Sequence, residues 1–294
     1  MEAYTGFAAL YDTFMDNVPY EEWSRYLISL LKEYGIDGGL VCELGCGTGS
    51  ITRRLRDAGY DMIGIDLSED MLDIARGYEF VEVWEGEEEY AGQEDSERED
   101  GRETAVGQEK AGTARDILYL NQDMREFELY GTVAAIVSLC DSMNYLTKEE
   151  DLKKVFELVN NYLDPGGIFI FDMNTIHKYR DLIGDTTIAE NREDCSLIWE
   201  NAYQEETGLN QYDITVFRRL EFEGEEEEEL YGRIRETHLQ RAYEPETIVR
   251  LIGESGLEFV AMYQAGTHDA VTEETERMYF IAREKRHGGK LYLE

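Results

Sequence analysis

Residues 41–50 read VCELGCGTGS and carry the strongest structural signal in this chain of 294 residues. The segment overlaps a short apolar run, Leu40–Leu44, which predicts a buried β-strand. Three alternating glycines follow, Gly45, Gly47 and Gly49, and a helix is predicted directly after them. A glycine-rich turn between a strand and a helix is typical of α/β proteins in which the backbone approaches a ligand at that turn.

Strand-like and helix-like stretches alternate on either side of this loop. The other predicted strands are Asp61–Ile65, Asp116–Leu120, Thr132–Leu139, Ile168–Asp172, Leu257–Gln264 and Arg277–Arg283. The predicted helices are Tyr20–Tyr34, Ser50–Ala58, one beginning at Ser68, Lys148–Leu163 and Pro245–Ser255, with a turn at residues 165–167. The pattern predicts an α/β fold with a doubly wound, mostly parallel, seven-stranded Rossmann-like sheet. Ligands of such sheets bind at the carboxyl ends of the strands.

Two segments interrupt the alternation. Residues 85–113 are rich in Glu and Gly and nearly lack aliphatic side chains, which predicts a flexible acidic insertion. Residues 186–243 contain three β-rich runs separated by polar turns, which predicts a small antiparallel β lid. These runs are Leu197–Tyr203, Gln211–Glu221 and Tyr231–Gln240. We therefore expect a main domain formed by residues 1–185 and 244–286, with the lid inserted between its two parts.

The charge balance limits the possible partners. Acidic residues number 65 and basic residues 28, which gives a formal net charge of −37. Such a field repels phosphate backbones and anionic membranes, so we expect neither nucleic acid nor membrane as a partner. The chain has no long apolar run and no basic, apolar N-terminal signal, which predicts a cytoplasmic protein. The spacing of Cys42 and Cys46 does not match a zinc site, and no metal is expected.

The glycine loop has two common uses, and its spacing favours one of them. Such a loop can hold a pyrophosphate, as in dinucleotide folds, or it can admit the aminocarboxypropyl arm of S-adenosylmethionine. The glycines follow a G-x-G-x-G pattern, which differs from the dinucleotide pattern G-x-G-x-x-G. An acid, Glu43, also precedes the loop, and a carboxylate suits a cationic ligand better than a pyrophosphate. The segment therefore favours the sulfonium cofactor.

The segment ELGCGTG resembles the first motif of class I S-adenosylmethionine-dependent methyltransferases, and further motifs follow in the order of that family. GIDLSEDML, NQDMR and LCDSMNY fall at the ends of the second, third and fourth strands. The resemblance implies S-adenosylmethionine as cofactor, with Asp66 on the ribose hydroxyls and Asp123 on the adenine amino group. The implied cofactor-binding residues are Glu43, Gly45, Cys46, Gly47, Gly49, Asp66, Leu67, Met71, Asp123, Met124 and Leu139, with Tyr11 and Trp23 from an N-terminal segment folded over the cofactor.

More narrowly, the chain resembles bacterial methyltransferases with an N-terminal YDxFM segment, a CDSMNYL motif and a lid that ends in ExHxQRxY. Amino-sugar N-methyltransferases are similar in layout. The resemblance implies a small-molecule acceptor, methylated on nitrogen or oxygen, and a monomer or homodimer.

Candidate substrate-side residues lie near the fourth strand and on the lid. We predict Asp141 and Tyr145 as catalytic residues, with His238 as a general base for an acceptor that arrives protonated. Asn144, His177 and Arg241 are predicted substrate-binding residues. In the alternating run at residues 236–240, the even positions share one face. That polar face could contact water or the mouth of the active site.

Other interpretations remain open at this point. The glycines could form only a tight turn, Asp66 could cap a helix, Asp123 could belong to a turn, and Tyr11 and Trp23 could be packing residues. The whole chain could be a nicotinamide-dependent dehydrogenase, a non-catalytic S-adenosylmethionine-binding protein, or a methyltransferase of a protein or RNA substrate.

Overall fold

A computed structural model describes residues 6–78, 116–220, 229–285 and 289–291. The predicted acidic insertion at residues 85–113 lies outside the described residues. Within the part of the chain that is described, no helix combines the length and the apolar character needed to cross a membrane.

The described residues form two β-sheets and the helices packed on them. The strands are β1 (Leu40–Leu44), β2 (Asp61–Asp66), β3 (Leu118–Asn121), β4 (Val133–Ser138), β5 (Leu163–Asn174), β6 (Thr187–Asn191), β7 (Cys195–Gln204), β8 (Leu209–Arg219), β9 (Tyr231–Arg241), β10 (Glu258–Gln264) and β11 (Arg277–Arg283). The helices are α1 (Ala8–Phe14), α2 (Tyr20–Glu33), α3 (Ser50–Asp57), α4 (69–78), α5 (Glu149–Tyr162) and α6 (Pro245–Glu254).

The larger sheet has seven strands in the order β10-β11-β5-β4-β1-β2-β3. The five adjacent strands β5, β4, β1, β2 and β3 are parallel to one another, whereas β11 runs antiparallel to both β5 and β10. This is the predicted doubly wound, Rossmann-like fold. The central strand β1 lies between β2 and β4, so the strand order reverses next to it. The glycine loop that leaves β1 therefore opens at the point where ligands of such sheets bind.

Apolar side chains cover both faces of this sheet. Leu44, Phe156 and Phe169 belong to a buried cluster that includes residues of α5 and α6. Leu27 and Val41 belong to a second cluster that includes residues of α2 and α3. Because strands buried on both faces carry near-continuous apolar runs, β1, β4 and β11 could be predicted almost to the residue.

Strand β5 differs from the prediction. It begins at Leu163, and residues 165–167, predicted to form a turn, lie inside it. The pairing with β4 passes from Val133↔Leu163 to Ala135↔Ile168, so the additional residues form a bulge. Gly166 has φ +79°, a conformation that suits glycine in such a bulge.

The lid sheet has four antiparallel strands, in the order β6-β7-β8-β9, where three β-rich runs were predicted. The missed strand β6 is short and mostly exposed, so its sequence lacks the apolar alternation that identified the others. One face of the lid packs on the N-terminal helix α1 through a third buried cluster, which includes Phe7, Phe14 and Val216. The lid and the N-terminal segment thus pack together beside the larger sheet.

Candidate active site

A cavity of about 450 Å³ lies at the carboxyl ends of β1, β2, β3 and β4, and β9 of the lid also lines it. Most of the predicted cofactor-binding residues line this cavity. They are Tyr11, Glu43, Gly45, Cys46, Gly47, Asp66, Leu67, Met71, Asp123, Met124 and Leu139. The sequence motifs, which are separated by as many as 96 positions between Glu43 and Leu139, therefore meet at one site.

The three loop glycines have different surroundings, although all have positive φ. A Cβ added at Gly45 would lie 2.6 Å from Ser142 Oγ, so glycine is required there for close packing. A Cβ added at Gly47 would meet nothing within 4 Å, and Gly47 lines the cavity. Gly49 precedes α3 and packs against Tyr119, and it does not line the cavity. Gly47 therefore provides the open backbone surface for a ligand.

Two carboxyl groups face the cavity next to the loop, Glu43 buried and Asp66 partly buried. Glu43 accepts a hydrogen bond from Thr52 Oγ1 at 2.5 Å. Burial raises the pKa of Glu43 to about 8, and the nearby Asp66 acts in the same direction. Asp66 accepts hydrogen bonds from the backbone N–H groups of Gly47 and Ser68, at 2.8 and 2.9 Å, and burial raises its pKa also. A ligand that brings positive charge or hydroxyl donors would stabilise both charged carboxylates.

Asp123 is held by a neighbouring arginine. Arg125 donates to both of its carboxylate oxygens through Nε, at 2.9 and 3.0 Å, and through Nη2 at 2.5 Å. This hydrogen bonding lowers the pKa of Asp123. Both residues line the cavity, so a ligand amino group would share the Asp123 carboxylate with Arg125. The adenine role of Asp123 stays a prediction.

The lining residues fit S-adenosylmethionine on these observations. Arg125 is the one arginine or lysine among the described lining residues and is paired with Asp123, so the carboxyl groups of Glu43 and Asp66 face the loop side of the cavity without a lining cation. A cationic ligand would favour their charged forms. Leu67 lines the cavity and is nevertheless 55% exposed, which leaves apolar surface for an aromatic ring. Gly47 adds the open backbone. A cationic methionine end, a ribose and a flat base would each meet suitable groups.

The N-terminal segment contributes tyrosines to the site. Tyr11 on α1 and Tyr20 at the start of α2 line the cavity, and burial raises the pKa of Tyr20. Tyr20 was missed because an aromatic residue at the start of an amphipathic helix is most often a core residue. Trp23 does not line the cavity. Its ring lies 5.0 Å from the guanidinium of Arg277, so the structure gives it a packing role.

His238 and Tyr145 meet at the lid side of the cavity, which both residues line. Tyr145 Oη lies 3.0 Å from His238 Nδ1, and His238 Nε2 lies 3.1 Å from Glu236 Oε2. Glu236, His238 and Gln240 are all buried, so the polar face of β9 points inward and does not contact bulk water. Both ring nitrogens of His238 thus have protein partners, Tyr145 Oη at Nδ1 and Glu236 Oε2 at Nε2.

Four other predicted substrate-side residues lie outside the cavity lining. Asp141 accepts hydrogen bonds from Arg277 Nη2 at 2.6 Å and Gln240 Nε2 at 2.7 Å, so its carboxylate belongs to a partly buried network. Asn144 is fully buried and bonds to the backbone of β5 and β9. The other two are also held away from the cavity.

Arg241 donates to the backbone oxygen of Thr147 at 3.0 Å, with its guanidinium 4.8 Å from the ring centre of Tyr243. His177 lies 2.8 Å from Asp181 on an irregular helical turn after β5. The sequence predicted correctly that these polar residues occur near strand ends. It does not determine the direction of each side chain, which depends on the turns that follow the strands.

A buried ion pair below the site was also missed. Asp172, near the carboxyl end of β5, accepts hydrogen bonds from Arg277 Nη1 at 2.7 Å and from the backbone N–H groups of Cys140 and Asp141, at 3.1 and 2.7 Å. Cys140 and Asp141 have φ values of +59° and +54°, which are unusual for residues with a side chain. Burial alone would lower the pKa of Arg277, but Asp172 and Asp141 raise it well above its ordinary value. The pair thus fixes the strained turn after β4.

The strand order, the glycine loop and the cavity at the strand ends define the class I methyltransferase fold. The sequence model of the methyltransferase domain family matches residues 12–261 of this chain. The chain belongs to this family, the S-adenosylmethionine-dependent methyltransferases of class I.

Individual relatives agree with this assignment. YqeM of Bacillus subtilis strain 168, a protein named as a methyltransferase, is 30% identical over 96% of this chain and 98% of its own length. The crystal structure of an S-adenosylmethionine-dependent methyltransferase from Clostridium acetobutylicum is 25% identical, with a TM-score of 0.71 over 96% of this chain and 99% of the other. A sugar N-methyltransferase from Streptoalloteichus shares the fold, with 14% identity and a TM-score of 0.66 over 94% of this chain and 93% of the other.

Proposed function

We propose that this methyltransferase binds S-adenosylmethionine in the cavity and transfers its methyl group to a nitrogen or oxygen of a small-molecule acceptor. The cofactor supplies a methyl group that its sulfonium centre has already activated. The protein then has to hold the acceptor in line with that methyl group, exclude water and receive the acceptor's proton. The chain of hydrogen-bonding groups from Tyr145 through His238 to Glu236 is the observation that carries the proposal.

The arrangement provides a path for one proton. An acceptor N–H or O–H group donates to Tyr145 Oη, while Tyr145 passes its own hydrogen to His238 Nδ1 across 3.0 Å. The resulting imidazolium lies 3.1 Å from Glu236 Oε2, and a carboxylate there stabilises the positive charge. Tyr145 is the group that touches the acceptor, and His238 is the base behind it. This refines the sequence prediction, in which His238 acted directly.

The lining and the overall charge support a small acceptor without phosphate groups. Arg125, the arginine of the described lining, is already paired with Asp123, so no cation is available to bind a phosphate. The net charge of −37 opposes the approach of nucleic acid. The name of the Streptoalloteichus protein describes transfer to a sugar nitrogen, and amines of that kind are the first acceptors to assay.

The test uses cofactor labelled in its methyl group, incubated with the full chain and a bacterial metabolite extract. We expect one labelled product class, and we expect Tyr145→Phe and His238→Ala to lower its formation by about 100-fold, in the range of lost general base catalysis. Cofactor affinity, measured by calorimetry, should change by less than about threefold, because neither side chain is predicted to bind the cofactor.

Matched controls come from exposed positions. Tyr231 lies exposed on the lid, and His268 lies exposed beside Glu33, so Tyr231→Phe and His268→Ala make the same chemical changes away from the cavity. Both controls should keep wild-type labelling. Equal labelling by wild type, Tyr145→Phe and His238→Ala would refute the proton path. Incorporation of label into RNA or protein, with none in small molecules, would refute the acceptor class.

A further inference from the structure

We infer that the hydrogen bond between Gln240 and Asp141 is a positioning contact. It holds Tyr145 within hydrogen-bonding distance of His238. The inference rests on the proposed function, since it concerns the proton path described there. Tyr145 ends a short 3-10 turn (Ser142–Tyr145) that follows β4 of the larger sheet, whereas His238 lies on β9 of the lid. A hydrogen bond between these two side chains therefore requires that the two sheets keep a fixed relation at this point.

Gln240 and Asp141 connect the two sheets beside the catalytic pair. Gln240 Nε2 donates to Asp141 Oδ2 at 2.7 Å. Asp141 comes directly before the 3-10 turn that carries Tyr145. Gln240 follows His238 by two positions on the same face of β9, about 7 Å along the strand. The Gln240–Asp141 hydrogen bond thus lies two residues along β9 from the His238–Tyr145 hydrogen bond that it would position.

Each end of this hydrogen bond is itself held in one orientation. Asp141 Oδ1 accepts Arg277 Nη2 at 2.6 Å, and its backbone N–H donates to Asp172. Tyr179 Oη donates to Gln240 Oε1 at 2.6 Å, which orients the amide so that Nε2 points toward Asp141. The donor therefore belongs to the lid and the acceptor to the larger sheet. All the partners are buried or partly buried, so water is a poor substitute for them.

Other contacts keep the lid attached when this one is altered. Asn144 Nδ2 donates to the backbone oxygen of Arg241 at 2.9 Å, and Arg241 donates to the backbone oxygen of Thr147 at 3.0 Å. Loss of the Gln240–Asp141 hydrogen bond should consequently misplace the catalytic pair without detaching the lid. This separates a positioning role from a purely structural one.

The experiment reverses the polarity of the contact in two steps. Asp141→Asn places two donors opposite each other, because its oxygen still accepts from Arg277 and its amide faces Gln240. Gln240→Glu places two acceptors opposite each other. The double variant restores a donor on the larger sheet and an acceptor on the lid, and Tyr179 can still donate to the new carboxylate. The net charge of the double variant equals that of the wild type.

The first readout is the pair of ¹⁵N signals of the His238 ring in the ligand-free full chain, which has four histidines and is assigned with His238→Ala. We expect both single variants to shift the Nδ1 signal and the double variant to return it to within about a third of the original shift. The second readout is methyl incorporation into the metabolite extract, which we expect to fall about tenfold in each single variant and to recover to within about threefold in the double variant.

The matched control is Asp194→Asn. Asp194 accepts a hydrogen bond from Arg219 Nη1 at 3.1 Å in an exposed contact within the lid, and neither residue lines the cavity. The same change of charge at this position should leave both readouts unchanged.

The two failures are distinguishable. Unchanged His238 signals in both single variants, or signals that shift and are not restored in the double variant, would overturn the positioning inference and leave the proton path intact. Restored signals with no loss of labelling in Tyr145→Phe and His238→Ala would instead overturn the proposed function, while the positioning of the pair would stand.

Discussion

Glu43→Gln should make the ligand-free protein more stable and its cofactor binding weaker. The Glu43 side chain is buried beside the glycine loop, and its carboxyl oxygen accepts the Thr52 hydroxyl. The amide oxygen of a glutamine can accept the same hydrogen bond, so the substitution removes the titration and little else. Burial raises the pKa of Glu43 from 4.5 to about 8 in the folded protein.

The magnitude follows from the linkage between protonation and folding. The folded state holds the Glu43 proton more tightly than the unfolded chain, so wild-type stability relative to the variant falls as the pH rises from 4.5 to about 8. Each pH unit in that window costs about 1.4 kcal/mol. At pH 7 the free energy of unfolding of Glu43→Gln should exceed that of the wild type by about 3 kcal/mol. Below pH 4.5 the two proteins should agree.

Urea unfolding of both proteins, at intervals from about pH 5 to about pH 8, measures this difference. Glu150→Gln is the control, since Glu150 lies exposed on α5 and makes the same change of charge. Calorimetry with S-adenosylmethionine should show an affinity about tenfold lower for Glu43→Gln at pH 7.5, because the cation loses its carboxylate partner. A stability difference that stays constant across the pH range would refute the raised pKa of Glu43.

Two further predictions concern the loop and the ion pair beneath it. Gly47→Ala should lower cofactor affinity at least tenfold while the unfolding free energy falls by only about 1 kcal/mol, because the new methyl group enters the cavity from a left-handed residue. Calorimetry and urea unfolding test this, with Gly35→Ala as the control, because Gly35 also has positive φ and open space but lies away from the cavity. Equal cofactor affinities of the two variants would contradict the prediction. Arg277→Met should lower the unfolding free energy by about 3–5 kcal/mol, since Asp172 is left buried without its partner. Arg250→Met removes an exposed ion pair and should lower the unfolding free energy by less than about 1 kcal/mol. A similar loss of unfolding free energy in both variants would refute the larger contribution expected of the Asp172–Arg277 pair.

Much of the fold could be predicted from local pattern. Strands β1 and β11 have the predicted boundaries because runs of apolar residues end at glycine or charge. The glycine loop could be located because its positive φ values are conformations that glycine adopts at little cost. By contrast, β6 was missed because its exposed residues show no periodicity, and the start of β5 was missed because a bulge has the composition of a turn.

The candidate site likewise has one side that local sequence patterns predict and another side that they do not. Its glycine-loop side contains residues at or near the carboxyl ends of strands, and the parallel sheet brings those ends together, so the order of the motifs led to residues that line one cavity. Their contacts with the cofactor stay predictions. Its acceptor side depends on the direction of single side chains. Tyr145 and His238 reach the cavity, whereas Asp141, equally suitable by residue type, turns toward Arg277.

The sequence by itself determined the class of fold, the place of the glycine loop and the acidic character of the cofactor side, because these follow from periodicity, glycine spacing and residue type over a few neighbouring positions. Only the tertiary structure decided that Glu236, His238 and Tyr145 form one chain of contacts, and that Asp141 supports it from outside the cavity. Those contacts join residues about a hundred positions apart across two sheets. They depend on strand pairing and on a strained turn that no local pattern encodes.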